Sequence, residues 1–160
     1  MASLTRITLC AAALAILVPS ASLTAQAGDR AIGAWKLNLA KSKYTPGPLP
    51  RSLTLTYEVA GNGVRVTTQG VDADGKPTHT DYTANYDGKN YPVSGSADYD
   101  TVVLKKVDAS TVEATRKHGG HVVQTMRRVL SKDGKVLTTT TTGTDAAGRH
   151  IKNVAVFDRQ

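Results

Sequence analysis

The chain has 160 residues, a net charge of +7 and a single cysteine, Cys10. This length fits one domain with one hydrophobic core, and a single cysteine excludes both a disulfide framework and a cysteine metal site. Basic residues are scattered among acidic ones along the chain, whereas nucleic-acid binding requires a clustered basic face, so we expect no nucleic-acid partner.

Residues 1–27 have the order of a Sec-type signal peptide. A start with one positive charge, Arg6, precedes the apolar run 7–18, which is too short to span a bilayer with ease. Small and polar residues follow and end in Ala-Gln-Ala at 25–27, which is typical of a cleavage site. We expect a secreted or periplasmic protein with no membrane span after cleavage. An uncleaved membrane anchor is the alternative.

From residue 28 onward, short alternating segments rich in threonine and valine are separated by turns. Turns such as 61–63 (Gly-Asn-Gly) and 133–134 (Asp-Gly) supply the positive φ that hairpins need. No segment keeps apolar residues at spacings of three and four, so we predict no helix. Ten strands are predicted, near 32–40, 52–60, 63–71, 78–86, 90–94, 100–107, 111–118, 121–130, 135–143 and 149–158.

Short connections make neighbouring strands pair antiparallel, which produces a meander. A meander of this length closes on itself or folds into two layers, because open edges invite aggregation. We therefore predict an all-β single domain at 28–160, an antiparallel up-and-down β-barrel of about 8–10 strands, with a β-sandwich as the alternative.

The first strand opens with Gly33-Ala34-Trp35. This Gly-x-Trp sequence at the start of a ten-strand meander resembles the lipocalins and fatty-acid-binding proteins of the calycin group. The resemblance implies that Trp35 plugs the closed end of a barrel and that a basic residue of the last strand, here Arg159, lies over its ring.

Two departures from the fatty-acid-binding proteins concern the lid and the carboxylate clamp. The segment 41–50 carries three prolines and therefore cannot form the helical lid that those proteins insert after the first strand. The last strand has Ala155 and Phe157 where those proteins often hold a fatty carboxylate with an arginine and a tyrosine. The resemblance therefore does not supply this clamp.

Adjacent basic residues within strands predict cations inside the barrel, because successive side chains of a strand point to opposite faces. The apolar alternation that precedes Arg116 places it inward, and Gln124, Met126 and Arg128 share one face of the next strand. A buried cation needs a partner or an anionic ligand. We name these four as candidate ligand-binding residues. The alternatives are a pair at the wet rim or an internal salt bridge to Glu113 or Asp108.

Metal and catalytic signatures are weak. His118 and His121 flank a Gly-Gly turn, but a metal site needs three or four ligands. The Asp72-x-Asp74 pair lacks the remaining ligands of a calcium loop, and no Gly-x-Ser-x-Gly elbow occurs. We predict no metal or other cofactor and name no catalytic residue, and enzymatic activity stays open.

Four functions are compatible with these patterns. The first is an exported protein that binds a small apolar or amphipathic ligand in the lumen, since ten strands leave more interior than side chains readily fill. The second is a filled barrel or sandwich that acts through its surface, as an inhibitor or an envelope interaction protein. The third is a lumen enzyme. An outer-membrane barrel is the fourth, and the strand at 138–142 opposes it because both of its faces are polar.

If the signal peptide is cleaved as predicted, the exported protein begins at Gly28. Intact-mass analysis of protein from the medium or periplasm checks this, and a mass that includes residues 1–27 contradicts it.

Overall fold

The computed structural model describes residues 28–160, and the predicted signal peptide at 1–27 lies outside the described residues. The strands are β1 Gly33–Leu37, β2 Ser52–Ala60, β3 Gly63–Val71, β4 Pro77–Asn85, β5 Tyr91–Pro92, β6 Thr101–Lys106, β7 Thr111–His118, β8 His121–Leu130, β9 Val136–Thr144 and β10 His150–Arg159. They form one sheet in the order β4-β3-β2-β1-β10-β9-β8-β7-β6-β5. The predicted all-β meander is confirmed. One ten-stranded sheet, rather than two packed sheets, makes the fold a nearly closed barrel and not a sandwich.

The two ends of the described chain meet where β1 pairs with β10. The register places Trp35 opposite Arg159 and Leu37 opposite Phe157. Trp35, Leu37, Phe157 and Leu55 on β2 belong to the buried core, and Trp35 and Leu137 are completely buried. The alternation of apolar and polar residues along each strand therefore builds the core.

The remaining gap lies between β4 and the segment 93–95, and we call it the seam. Asp81 N–H donates to the Ser94 carbonyl at 3.1 Å, and Ser94 N–H donates to the Asp81 carbonyl at 2.9 Å. Gly95 follows with φ of +82°, and a Cβ at this position would lie 2.2 Å from the His79 carbonyl oxygen. The close approach at the seam therefore requires glycine.

The contact between Arg159 and Trp35 follows the prediction drawn from the family resemblance. The Arg159 guanidinium lies 4.2 Å from the centre of the Trp35 ring, and Trp35 Nε1 donates to the Ala31 carbonyl at 2.8 Å. The ring is thus buried with its single polar group satisfied.

The predicted first strand, 32–40, is too long. It ends at Leu37, and a 3₁₀ turn, Leu39–Lys41, follows. Asn38 caps this turn, because its side chain accepts a hydrogen bond from Lys41 N–H at 3.1 Å and so offers the backbone an alternative to the ladder. The proline segment 46–50 is not helical, as predicted. Within residues 28–160, no helix has the length and apolar character to cross a membrane.

Replacing Trp35 with alanine should lower the free energy of unfolding by about 3–5 kcal/mol, because a large, fully buried side chain leaves a cavity. Urea unfolding followed by far-UV circular dichroism checks this, since the substitution removes the only tryptophan. Val59→Ala is the control, because Val59 is 72% exposed and its truncation should cost under about 0.5 kcal/mol. A loss below about 1 kcal/mol for Trp35→Ala contradicts its role as a core plug.

Candidate functional site

The barrel interior contains a cavity of about 250 Å³, many times the space that one water molecule needs. It lies toward the open end, where the β3–β4, β7–β8 and β9–β10 turns meet. Its lining comprises Tyr44, Leu53, Leu55, Tyr57, Val66, Thr68, Thr80, Tyr82, Ser96, Asp98, Tyr99, Arg116, Gln124, Met126, Thr139, Thr141, Ile151, Asn153, Ala155 and Phe157. The interior is therefore partly unfilled at this end.

The cavity has one apolar wall and one polar wall. Leu53 and Leu55 on β2 and Ala155 and Phe157 on β10 form the apolar wall, and these two strands flank β1. Farther around the barrel, β7 and β8 contribute Arg116 and Gln124 among other residues. This arrangement suits a ligand that has both an apolar and a polar part.

Arg116 is the cation of the polar wall. It stands opposite Gln124 in the register of β7 and β8, and its NH1 donates to Gln124 Oε1 at 3.0 Å. Its guanidinium also lies 4.6 Å from the centre of the Tyr99 ring. Within residues 28–160, no acidic side chain lies within salt-bridge distance of Arg116, so its positive charge at the cavity wall has no direct ion-pair partner.

Gln124 links this cation to the loop at the mouth of the barrel. Its side chain is almost fully buried, and its Nε2 donates to Asp98 Oδ2 and to the Thr144 carbonyl, both at 3.2 Å. Asp98 Oδ1 in turn accepts a hydrogen bond from Ala146 N–H at 2.8 Å. Asp98 therefore ties the loop after the seam to the β9–β10 turn on the other side of the mouth.

A second, wider cavity of about 440 Å³ lies outside the first. Tyr44, Asp98, Ile151 and Asn153 line both cavities. The proline segment supplies Pro46 and Pro48 to the outer rim. These shared residues mark the boundary between the lumen and its mouth.

Arg128 occupies the opposite, packed end of the barrel. Its side chain is 4% exposed, and its NH2 lies 2.8 Å from Asp29, whose side chain is 7% exposed. The Tyr86 hydroxyl also donates to Asp29, and the Arg128 guanidinium lies 5.0 Å from the centre of the Tyr57 ring. Only about 10 Å³ remains open beside Arg128. Its charge is thus compensated inside the protein.

Three of the four predicted ligand-binding residues, Arg116, Gln124 and Met126, line the cavity, whereas Arg128 does not. The internal salt bridge considered from the sequence exists for Arg128, but its partner is Asp29 rather than Glu113 or Asp108. Glu113 pairs with Arg127 on the outer face. A ligand-binding role for the four residues stays a prediction.

The sequence analysis did not name most of the cavity lining, and three of the residues it missed are Tyr44, Asp98 and Tyr99. All three lie in loops, where no period of two indicates which side chains turn inward. Asp29, the partner of Arg128, also lies outside every strand. Its position two residues after the predicted cleavage site gave no signal of burial.

All four histidines, His79, His118, His121 and His150, are exposed. The portion of the chain from 28 to 160 contains no group of three or more histidine, cysteine, aspartate or glutamate residues placed to hold a metal ion.

The zebrafish ileal bile acid-binding protein in complex with cholic acid matches with a TM-score of 0.49 and 12% sequence identity, over 82% of this chain and 99% of that chain. No protein-family model matches, and no curated protein matches. The predicted ten-strand antiparallel barrel is seen directly in the strand order of the sheet.

Because of the Asp29–Arg128 pair, we expect the free energy of unfolding to fall as the pH becomes acidic. Burial opposes ionisation of Asp29, but Arg128 and hydrogen bonds from Tyr86 and Ala31 N–H outweigh it and lower the pKa of this carboxyl below 3.8. A depressed pKa contributes stability that is present above the unfolded value and is lost as the pH falls through the folded value.

Asp29→Asn should therefore lose about 3–5 kcal/mol of unfolding free energy at pH 7, because Arg128 stays buried without its counter-ion. The difference from the wild type should shrink below about pH 4. Urea unfolding at several pH values measures both effects. The double variant Asp29→Asn/Arg128→Met should recover much of the loss, and a loss independent of pH argues against the ion pair as its cause.

Proposed function

We propose that this protein is an exported carrier that binds a small amphipathic ligand with an acidic group in the lumen of its barrel. The observation that carries the proposal is the cavity of about 250 Å³ with Arg116 on its wall. A filled barrel that acts only through its surface has no use for such a space, since protein interiors are otherwise close-packed.

The free hydrogen-bond donors of Arg116 are the evidence for an acidic group on the ligand. Its guanidinium has five N–H donors, and within residues 28–160 it makes one side-chain hydrogen bond, to Gln124. The remaining donors are free to bind a carboxylate, and charge-assisted bidentate pairs of this kind are among the stronger polar contacts. The Tyr99 ring also contacts the guanidinium, with 4.6 Å between the guanidinium carbon and the ring centre.

The apolar wall of the cavity is the evidence for an apolar part of the ligand. Leu53, Leu55, Ala155 and Phe157 offer apolar surface, and each Å² of ligand surface removed from water contributes roughly 25 cal/mol. The short side chain of Ala155 leaves space where a larger residue would fill the lumen. An apolar chain or ring that lies on this wall leaves its acidic group beside Arg116.

The signal peptide predicted at residues 1–27 supports export, to the periplasm or the medium. A carrier in such a compartment folds without disulfides here, because Cys10 is the only cysteine and lies within that peptide. The buried ion pair and the Arg159–Trp35 contact stabilise the fold by other means.

Replacing Arg116 with leucine should weaken binding of decanoic acid by about 2 kcal/mol, roughly thirtyfold in Kd, and leave binding of 1-decanol within about twofold. The cause is the loss of the charge pair between the guanidinium and the carboxylate. Titration calorimetry with both ligands measures the two constants.

Arg127→Leu is the matched control. It makes the same substitution on β8, but Arg127 lies on the outer face and pairs with Glu113 at 2.8 Å. Binding of decanoic acid to this variant should stay within about twofold of the wild type. Equal affinity of the wild type for the acid and the alcohol is incompatible with the proposed role of Arg116.

A further inference from the structure

Arg116 shares its wall of the cavity with a carboxylate. Asp98 lines the same cavity, and Gln124 connects the two, with its oxygen toward Arg116 and its nitrogen toward Asp98. Within residues 28–160, Asp98 pairs with no cation. The wall therefore carries a positive and a negative group that one neutral amide separates.

The amide of Gln124 shows which chemistry complements this wall. It presents a hydrogen-bond acceptor to Arg116 and a donor to Asp98, at 3.0 and 3.2 Å. A ligand that meets the same two groups from the cavity side needs the same combination, an acceptor for Arg116 beside a donor for Asp98. A simple carboxylate supplies only acceptors.

Both groups have capacity left for a ligand. An ionised carboxylate has about four acceptor sites, and the side chain of Asp98 uses one for Gln124 Nε2 and one for Ala146 N–H. Asp98 is only partly buried and lines both the lumen and its mouth. Its free acceptor sites are therefore within reach of a ligand held by Arg116.

We propose that the ligand is an acid with a hydrogen-bond donor, such as a hydroxyl, on carbon 2 or carbon 3 of its chain, where the carboxyl carbon is carbon 1. Asp98 is the residue that selects for this donor. This inference rests on the proposed function, because Arg116 must first hold the acid. The carboxylate of Asp98 should also weaken binding of a ligand with a second negative charge, since like charges in one site repel.

The test compares 3-hydroxydecanoic acid with 3-methoxydecanoic acid on the wild-type protein, each enantiomer separately, by titration calorimetry. The methoxy group keeps the position and the oxygen but removes the donor. We expect one enantiomer of the hydroxy acid to bind about tenfold more tightly than its methyl ether, as a hydrogen bond to a charged acceptor predicts. Equal affinities overturn the inference without any substituted protein.

Asp98→Asn should then reduce this preference to within about twofold. Asp74→Asn is the control, because it removes the same charge from an exposed residue of the β3–β4 turn at the same end of the barrel and should keep the tenfold preference. A preference that persists in Asp98→Asn assigns selection to another group and rejects the proposal.

The outcomes separate this inference from the proposed function. If decanoic acid binds and Arg116→Leu weakens it while the hydroxyl has no effect, the carrier function stands and the role of Asp98 fails. If neither decanoic acid nor the hydroxy acid binds, the proposed function itself fails, and the inference with it.

Discussion

The barrel depends on the contact that joins its two chain ends. Arg159 stacks on Trp35 and donates three hydrogen bonds, to the carbonyls of Gly134 at 2.6 Å, Ile32 at 2.8 Å and Arg30 at 2.9 Å. Pairing the first strand with the last closes a loop that contains almost the whole barrel, which costs conformational entropy. The contacts of Arg159 offset part of this cost. Glycine at position 33 fits the same contact, because its φ of +126° disfavours other residues and a Cβ there would lie 3.0 Å from Arg159 NH1. Without this closure, the sheet has no interior in which to bury its apolar face.

Two inward arginines on neighbouring strands show how the surroundings assign different roles to one residue type. Arg128 has a buried carboxylate, Asp29, at 2.8 Å, and the space around it is filled. Arg116 has a neutral amide and an aromatic ring, and the space beside it is open. The barrel is thus divided into a packed half that provides stability and an open half that retains a charge.

The sequence predicted what depends on strand periodicity and hairpin turns. Nine of the ten strands were placed within two residues of their observed bounds, and the alternation of side chains correctly placed Arg116, Gln124 and Met126 in the interior. Asp29 and Asp98 were not predicted, because both reach the interior from loops and are brought there by contacts far apart in the chain. Alternation carries no information about such residues. The early end of the first strand was missed for a related reason, the local cap by Asn38.

The seam has a mechanical consequence for the lumen. Every other pair of neighbouring strands shares at least two register positions, whereas Asp81 and Ser94 form a single bridge. Local opening requires least free energy where the fewest backbone hydrogen bonds must break. Thr80 and Tyr82 line the cavity on one side of this bridge, and Ser96 and Tyr99 do so on the other. We therefore expect the barrel to open most easily along this line, which would widen the lumen there while the other strand pairs keep their hydrogen-bond register.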